Sequence, residues 1–213
     1  MISRAEYLRA IQQHYHQQWG GFEELRWPKG PVEQLPEGFS VLKFQRTPQR
    51  PFFTYATCGM SQAGDVERPE CFILSPMADE SICELLTIIA WYNRTINRLG
   101  RGDTINFGRP WLPKSRCNYG LLSTPYLDKP ELELLDAGGV WVKILWLIPI
   151  TTEEHNFNIH CGLEALEIRF ENGGLDYANI YRPSVVQAGE IVDVTNPMLA
   201  SMPPTSANAR AQA

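Results

Sequence analysis

The sequence has no run of basic residues, although 19 of its 213 residues are Lys or Arg. These side chains are scattered, and 24 Asp and Glu residues outnumber them, which gives a formal net charge of -5 at pH 7. A domain that binds nucleic acid usually carries a basic patch or stripe. We therefore expect no nucleic-acid partner.

Long apolar runs are also missing. The longest, Val140 to Ile150, contains Lys143 and is shorter than the roughly 18 residues that a membrane-spanning helix needs. Residues 1–10 are polar with charges of both signs, so they lack the apolar segment of a secretory signal. From these features we expect a cytoplasmic protein with no membrane partner.

The cysteines are few and show no pairing pattern. Five occur, at the irregularly spaced positions 58, 71, 83, 117 and 161, and none has the short Cys-x2-Cys spacing of zinc sites. Without an export signal, this predicts reduced, structural thiols. His155, His160 and Cys161 are close in sequence, but we interpret them as surface or packing residues. We expect no metal and no cofactor.

A complete nucleophile motif is absent as well. The segment Cys58 to Ser61 places a thiol and a hydroxyl beside small residues. A nucleophile elbow requires Gly-x-Ser-x-Gly between a strand and a helix, whereas here a polar turn follows. We interpret Cys58 as a buried residue at a strand end. The alternative, a hydrolase or thiol enzyme that uses Cys58 or Ser61 with His155 or His160, stays open.

Two further motifs have structural interpretations. Gly100 and Gly102 follow a predicted helix, so they indicate a helix end rather than a phosphate-binding loop. The adjacent carboxylates of Glu153 and Glu154 are interpreted as residues that favour the positive end of a helix dipole.

What is present predicts a globular chain with helices and strands. Hydrophobic residues make up 44% of it, enough for a buried core. Periodicity and turn residues predict helices over 3–19, 80–99, 151 onward and 163–170, and strands over 39–44, 52–58, 71–74, 104–107, 119–123, 131–135 and 140–150. The last strand is nearly all apolar, so we expect it to be central and buried on both faces.

Caps and boundaries follow from the same patterns. Asp79 or Ser81 can cap the second helix, and Ser81 with Glu84 and Thr151 with Glu154 have capping-box spacing. We expect an N-terminal helix and Pro-rich connection over residues 1–38, a domain over 39–186 and a disordered tail over 187–213, where no periodicity remains.

The tryptophans are expected to pack rather than to bind. Trp91, Trp141 and Trp146 lie in periodic or apolar elements, which favours the core. The other three lie near turns, where packing at the edge of the core is favoured over a binding surface: Trp19, Trp27 and Trp111.

Several segments, taken in order, resemble the Suppressor of fused domain. The stretch Phe53 to Ser61 resembles that family's strand-to-turn T-x-G-x-S signature, and Glu70 to Leu74 resembles its Glu-initiated strand. Four more segments match in order: the L-x-x-L-A-x-Y helix at 85–92, the G-D-x-I turn at 102–105, the P-I-T-x-E-E junction at 147–154 and the last helix at 162–166. The resemblance covers residues 52 to about 171.

The resemblance implies an α+β fold in which a mixed β-sheet is flanked by helices, an α/β/α-like sandwich, without a catalytic centre. The animal member is a negative regulator that binds a transcription factor, and many bacterial single-domain members are regarded as immunity proteins that neutralise toxins. This chain is closer to the bacterial single-domain type. We therefore expect a non-enzymatic protein-binding domain, either an immunity protein or an intracellular regulator.

The binding mode follows from the predicted strands. A partner segment is expected to pair with an exposed strand edge, for which the strands at 52–58 and 71–74 are the candidates. No residue is assigned a catalytic, cofactor-binding or metal-binding role. A subunit of an oligomer, which a large exposed apolar patch would favour, is a third interpretation, so the oligomeric state stays open.

Overall fold

The computed structural model describes residues 2–30, 32–177 and 179–187. Within them the chain forms four α-helices: α1 (Arg4–Trp19), α2 (Ser81–Thr95), α3 (Thr152–Cys161) and α4 (Leu163–Gly173). It also forms eight strands: β1 (Phe22–Leu25), β2 (Ser40–Phe44), β3 (Phe53–Cys58), β4 (Pro69–Ser75), β5 (Thr104–Asn106), β6 (Tyr119–Ser123), β7 (Leu134–Asp136) and β8 (Trp141–Ile150). The predicted tail, apart from residue 187, lies outside the described residues.

The eight strands join one mixed sheet in the order β1-β2-β3-β4-β8-β6-β5, with β7 paired to the beginning of β8. Only β4 and β8 are parallel, with Glu70 beside Ile144. Parallel neighbours require a crossover connection, and here the crossover contains α2 and three strands. This topology puts β8 at the centre and leaves β1 and β5 at the outer edges.

The prediction that the strands at 52–58 and 71–74 offer open edges is wrong. β3 lies between β2 and β4, and β4 lies between β3 and β8. Both hydrogen-bonding edges of each strand are therefore occupied. These two strands pair with each other in antiparallel orientation.

Side chains alternate between the two faces of the sheet, and each face packs against helices. On one face Val142 and Trp146 of β8 join Tyr7 of α1 in a buried cluster that residues of α3 and α4 also enter. On the other face Leu145 of β8 packs with Leu86 of α2. The predicted α+β fold, a mixed sheet flanked by helices, is confirmed.

The burial of β8 differs between its two ends. Trp141 is 55% exposed and Lys143 is exposed, whereas every residue from Ile144 onward is buried. The prediction that Trp141 packs in the core is wrong, because the cluster beneath α2 begins only at Leu145. Trp146 is buried as predicted. Trp91, also expected in the core, is half-buried on α2.

The helix N-termini show which polar spacings act as caps. Thr151 Oγ1 accepts from Glu154 N, and Glu154 Oε2 accepts from Thr151 N at 2.9 Å, so the predicted capping box of α3 is confirmed. At α2 the carboxylate of Asp79 accepts the Ser81 amide at 2.8 Å. The predicted box of Ser81 with Glu84 is wrong, because Ser81 already lies inside the helix.

Some boundaries also differ from the prediction. The expected strand over 131–135 begins as a 3-10 turn at Pro130–Leu132. α2 ends at Thr95, where Asn93 Oδ1 accepts the amide of Leu99. β1 was not expected, since two adjacent glutamates break its alternation. No helix in the described ranges is long and apolar enough to cross a membrane.

Candidate functional site

The outer edge of β5 is the part of the sheet best arranged to accept another strand. In the described part of the chain β5 pairs only with β6, and its other edge has no strand partner. Its three residues, Thr104 to Asn106, carry no charge. Native edge strands are commonly protected by charged side chains, so this edge lacks one usual protection.

The hydrogen-bond ladder determines which backbone groups of β5 point outward. Phe107 N donates to Asn118 O at 2.9 Å, and Asp103 O accepts an amide from the β6 side. Hydrogen-bonded pairs alternate along an antiparallel ladder. Thr104 and Asn106 therefore form the pairs that are not hydrogen-bonded, and their N–H and C=O groups point away from β6.

α2, which packs against β2 and β3, presents exposed apolar side chains. Arg109, just after β5, donates to Glu84 Oε2 at 2.8 Å and ties the first turn of α2 to the strand. At four-residue intervals beyond Glu84, one helix face carries Ile88, Tyr92 and Ile96, which we name the α2 stripe. Ile88 is 43% and Ile96 61% exposed. The Arg109 contacts link the end of β5 to the beginning of α2.

α3 holds the opposite face of β5. Thr104 Oγ1 and His155 Nδ1 lie 2.8 Å apart, and the His155 ring stacks on Tyr119 with 4.1 Å between ring centroids. Burial lowers the pKa of His155 below its ordinary value, so the ring is mainly neutral at pH 7. These contacts fix the strand against the helix.

Two glycines allow β5 to lie where it does. Gly102 has φ +91° in the turn before the strand, and its amide donates to Leu122 O at 2.7 Å. A Cβ on Gly120 would lie 2.5 Å from the Phe107 ring and from Leu147, so a side chain there would push Phe107 off β6. The G-D-x-I turn found in the sequence thus positions the edge.

The opposite edge of the sheet is protected. β1 carries Glu23 and Glu24 side by side; Glu23 pairs with Lys43 of β2 at 3.2 Å, and Glu24 pairs with Arg26 at 2.7 Å. Charges on an edge strand oppose the addition of a further strand. Of the two outer strands, β5 is therefore the better candidate.

The T-x-G-x-S signature forms a turn around the buried carboxylate of Glu70. Glu70 accepts from Thr57 Oγ1 at 2.6 Å, from Ser61 Oγ at 2.8 Å and from the amides of Gly59, Met60 and Ser61 at 3.0 to 3.2 Å. Burial raises the pKa of Glu70, and these hydrogen bonds oppose the shift. The signature and the Glu-initiated strand are therefore one structural unit.

α1 closes over this turn. Arg4 donates to the carbonyls of Gly59 and Ser61 at 2.9 and 2.7 Å, and Tyr7 Oη lies 2.8 Å from Ser61 Oγ. Gly59 has φ +92°, which favours glycine. Nothing in the sequence near Arg4 indicates this contact, since the two segments are more than fifty residues apart.

The residues of the hydrolase alternative are not brought together. Cys58 and Ser61 are buried at the end of β3, while His155 lies beside β5. Four strand steps separate β3 from β5, about 19 Å at roughly 4.8 Å a step. His160 bonds to a carbonyl of its own helix. Burial and the charge of Glu70 raise the pKa of Cys58, which keeps its thiol protonated.

The metal interpretation finds no support in the geometry either. Among the residues that the structure describes, no group of three His, Cys, Asp or Glu side chains is placed to hold a metal ion. The five cysteines form no disulfide with one another; four are buried and Cys161 is half-buried.

Glu154 has a larger role than its predicted interaction with a helix dipole. Its buried carboxylate accepts from Arg182 at 2.6 and 2.7 Å and from the amides of Thr151 and Val185. Burial would lower the pKa of Arg182, but the hydrogen bonds and charge of Glu154 outweigh it and raise that pKa. The pair ties the segment after α4 to the β8–α3 junction.

These features define an α+β domain with a central mixed sheet that ends in β1, protected by charge, and in β5, which has no further strand partner in the described residues. The family model of Suppressor of fused protein (SUFU) matches residues 36–183. The chain belongs to the Suppressor of fused family, as the ordered motifs predict.

Solved structures agree with this assignment. A SUFU homologue from Neisseria gonorrhoeae, determined at 1.40 Å resolution, matches with a TM-score of 0.76 and 30% identity over 86% of this chain and 99% of that chain. The Sufu–Fu complex matches with a TM-score of 0.64, 16% identity, and coverage of 84% and 92%. Drosophila Suppressor of Fused matches with a TM-score of 0.66 and 15% identity over 87% of this chain and 54% of that chain. Among curated proteins the comparison found no match.

Proposed function

We propose that this chain is a non-enzymatic, cytoplasmic protein-binding domain that pairs an extended segment of its partner with the open edge of β5. The outward N–H and C=O groups of Thr104 and Asn106 carry the proposal. A strand added there forms backbone hydrogen bonds with the edge.

The relatives support a protein partner. A structure that shares this fold was solved as a Sufu–Fu complex, so at least one protein with this architecture binds another protein. For this chain the partner is either a toxin that it neutralises, which makes it a bacterial immunity protein, or a protein that it regulates. Co-expression with the products of neighbouring genes separates the two roles, because only an immunity protein restores growth to cells that express the toxin.

The edge itself is tested by Asn106→Pro. The substitution removes the outward N–H and leaves the bonds between β5 and β6 in place, because the amide of Asn106 does not take part in them. Proline is tolerated on edge strands. With a partner identified by co-expression, isothermal titration should show Kd raised by about tenfold or more, as expected for the loss of a backbone hydrogen bond and its alignment.

Asn106→Ala is the matched control. It removes the side-chain contacts of Asn106 with the Gly108 amide and with Tyr119 but keeps the outward N–H, so binding should stay near that of the wild type. A Glu23→Ala variant on β1 should also bind normally. If Asn106→Pro, folded by circular dichroism, binds as tightly as Asn106→Ala, the β5 edge is not the binding site.

A further inference from the structure

The exposed face of the β7–β8 hairpin is a second surface with unusual composition. Asp136 lies directly opposite Trp141, and Leu134 lies opposite Lys143. Residues opposite each other in an antiparallel pair share one face of the sheet. We name these four residues the Trp141 face. Trp141 is 55% exposed and Leu134 46% exposed, a large apolar pair at the surface.

This face is uncovered because the helix layer stops short of it. Side chains alternate along β8, so Trp141 and Lys143 share the face of Leu145, and Leu145 is the first of them to pack beneath α2. On the reverse face Val142 and Ile144 join the core with α1. Tryptophan is enriched where proteins bind partners. At this end of β8, residues 141–144, the reverse face supplies the core contacts through Val142 and Ile144.

The two charged residues of the Trp141 face differ in their ion pairing. Lys143 Nζ already pairs with Glu67 at 2.9 Å. The carboxylate of Asp136 is fixed beside the indole, because its Oδ1 accepts the Gly139 amide at 2.6 Å. Within the described ranges no Lys, Arg or His forms an ion pair with Asp136. In the described part of the chain the face therefore presents an exposed indole opposite a carboxylate that has no ion-pair partner.

We propose that the Trp141 face is a docking surface for a partner protein that presents an arginine or lysine between aliphatic side chains. The cation stacks on the ring of Trp141 and pairs with the carboxylate of Asp136, and the aliphatic neighbours cover Leu134. An acidic segment is disfavoured, since it meets Asp136 and Glu67.

This surface is separate from the β5 edge. β6 pairs with the far end of β8, where Tyr119 lies opposite Ile150. Trp141 is at the other end of the same strand, about 30 Å away at roughly 3.3 Å per residue. The two surfaces can therefore engage different segments, and substitutions at one leave the other intact.

The test is an NMR titration of the full, 15N-labelled chain with the peptide Ac-Leu-Arg-Leu-NH2. The indole N–H signal of Trp141 is assigned with Trp141→Phe. We expect a saturable shift of that signal, and Asp136→Asn should raise Kd by about fivefold. The neutral peptide with citrulline in place of arginine should bind with a similarly raised Kd. Unchanged signals of the other five indoles show that each variant is folded.

Control titrations distinguish a cationic partner from the other possible occupants of the Trp141 face. Tyr181→Ala, which alters an aromatic residue that is 62% exposed elsewhere, should bind like the wild type. The proposal is overturned by an unmoved Trp141 signal, or by an equal response to citrulline, to Ac-Leu-Glu-Leu-NH2 or in Asp136→Asn. It is overturned in favour of a second copy if the signal moves with protein concentration alone and sedimentation shows a doubled mass that Trp141→Ala abolishes.

Discussion

At the scale of single residues, Glu70 shows how a buried carboxylate shapes a turn. Gln at this position turns one acceptor oxygen into a donor that faces the amides and hydroxyls of the turn. Each buried donor left without an acceptor costs about 1–3 kcal/mol. In urea denaturation at pH 5, Glu70→Gln should therefore lower the free energy of unfolding by about 2–4 kcal/mol. The exposed Glu33→Gln should change it by less than about 0.5 kcal/mol.

The raised pKa of Glu70 also predicts how this loss depends on pH. The unfolded chain titrates near the ordinary value of 4.5, and burial raises the pKa in the folded state. Between these values the folded state binds more protons, so the wild type loses stability as pH rises through the folded pKa, and the Gln variant does not. The difference between the two should shrink from pH 4.5 to pH 8. A difference that grows with pH contradicts the direction of the shift.

The pair of Glu154 and Arg182 is the second residue-scale case. Arg182→Met leaves the carboxylate buried and unpaired, which should cost about 3–5 kcal/mol in urea denaturation. Arg26→Met removes an exposed pair with Glu24 and should cost less than about 1 kcal/mol. The double variant Glu154→Gln with Arg182→Met should lose less than the sum of the single losses. Equal losses for Arg182→Met and Arg26→Met would show that burial adds nothing.

At the scale of elements, one sequence motif has two different outcomes. Thr151 caps α3, so Thr151→Ala should lower the free energy of unfolding by about 1 kcal/mol or more. Ser81 lies inside α2 and makes no capping bond from its side chain, so Ser81→Ala should stay within about 0.5 kcal/mol of the wild type. Thermal unfolding of both variants measures this contrast, and equal losses would mean that both boxes form in solution.

Elements that depend on near neighbours are the ones that sequence predicts well. Thr151 and Glu154 are three positions apart, so their spacing alone indicates the cap of α3. The exposed start of β8 had a signal as well: Trp141 and Lys143 alternate with Val142 and Ile144, which is typical of a half-exposed strand. The apolar character of the whole run outweighed that alternation. Exposure of Trp141 was therefore missed although the sequence contains the pattern.

At the scale of the whole molecule, the order of strands could not be read from the sequence. The sequence predicts open edges on the strands at 52–58 and 71–74, which are β3 and β4, because nothing local shows that β8 inserts beside β4 as a parallel neighbour. Contacts such as Glu70 beside Ile144, or Arg4 with the turn before β4, join distant segments. The motif resemblance supplied the family and the fold class, but not which edge stays open.

The burial of α1 indicates that the folding unit includes the N-terminal helix. The sequence predicts a domain over residues 39–186. Yet Tyr7, Ile11 and Tyr15 are fully buried against the sheet, and Arg4 bonds to the signature turn. We expect a chain that begins at residue 39 to lose cooperative urea unfolding, because the part of the sheet that α1 covers is then exposed.

Point substitutions measure the contribution of α1 to stability without shortening the chain. Ile11→Ala leaves a buried cavity and should lower the free energy of unfolding by about 2–5 kcal/mol. Ile88→Ala, at a position 43% exposed on α2, should cost less than about 1 kcal/mol. Adding residues 1–38 as a separate peptide should restore cooperative unfolding to the shortened chain, since α1 contributes contacts rather than connectivity. If the shortened chain instead unfolds at the wild-type midpoint, the domain is complete without α1, as the sequence predicts.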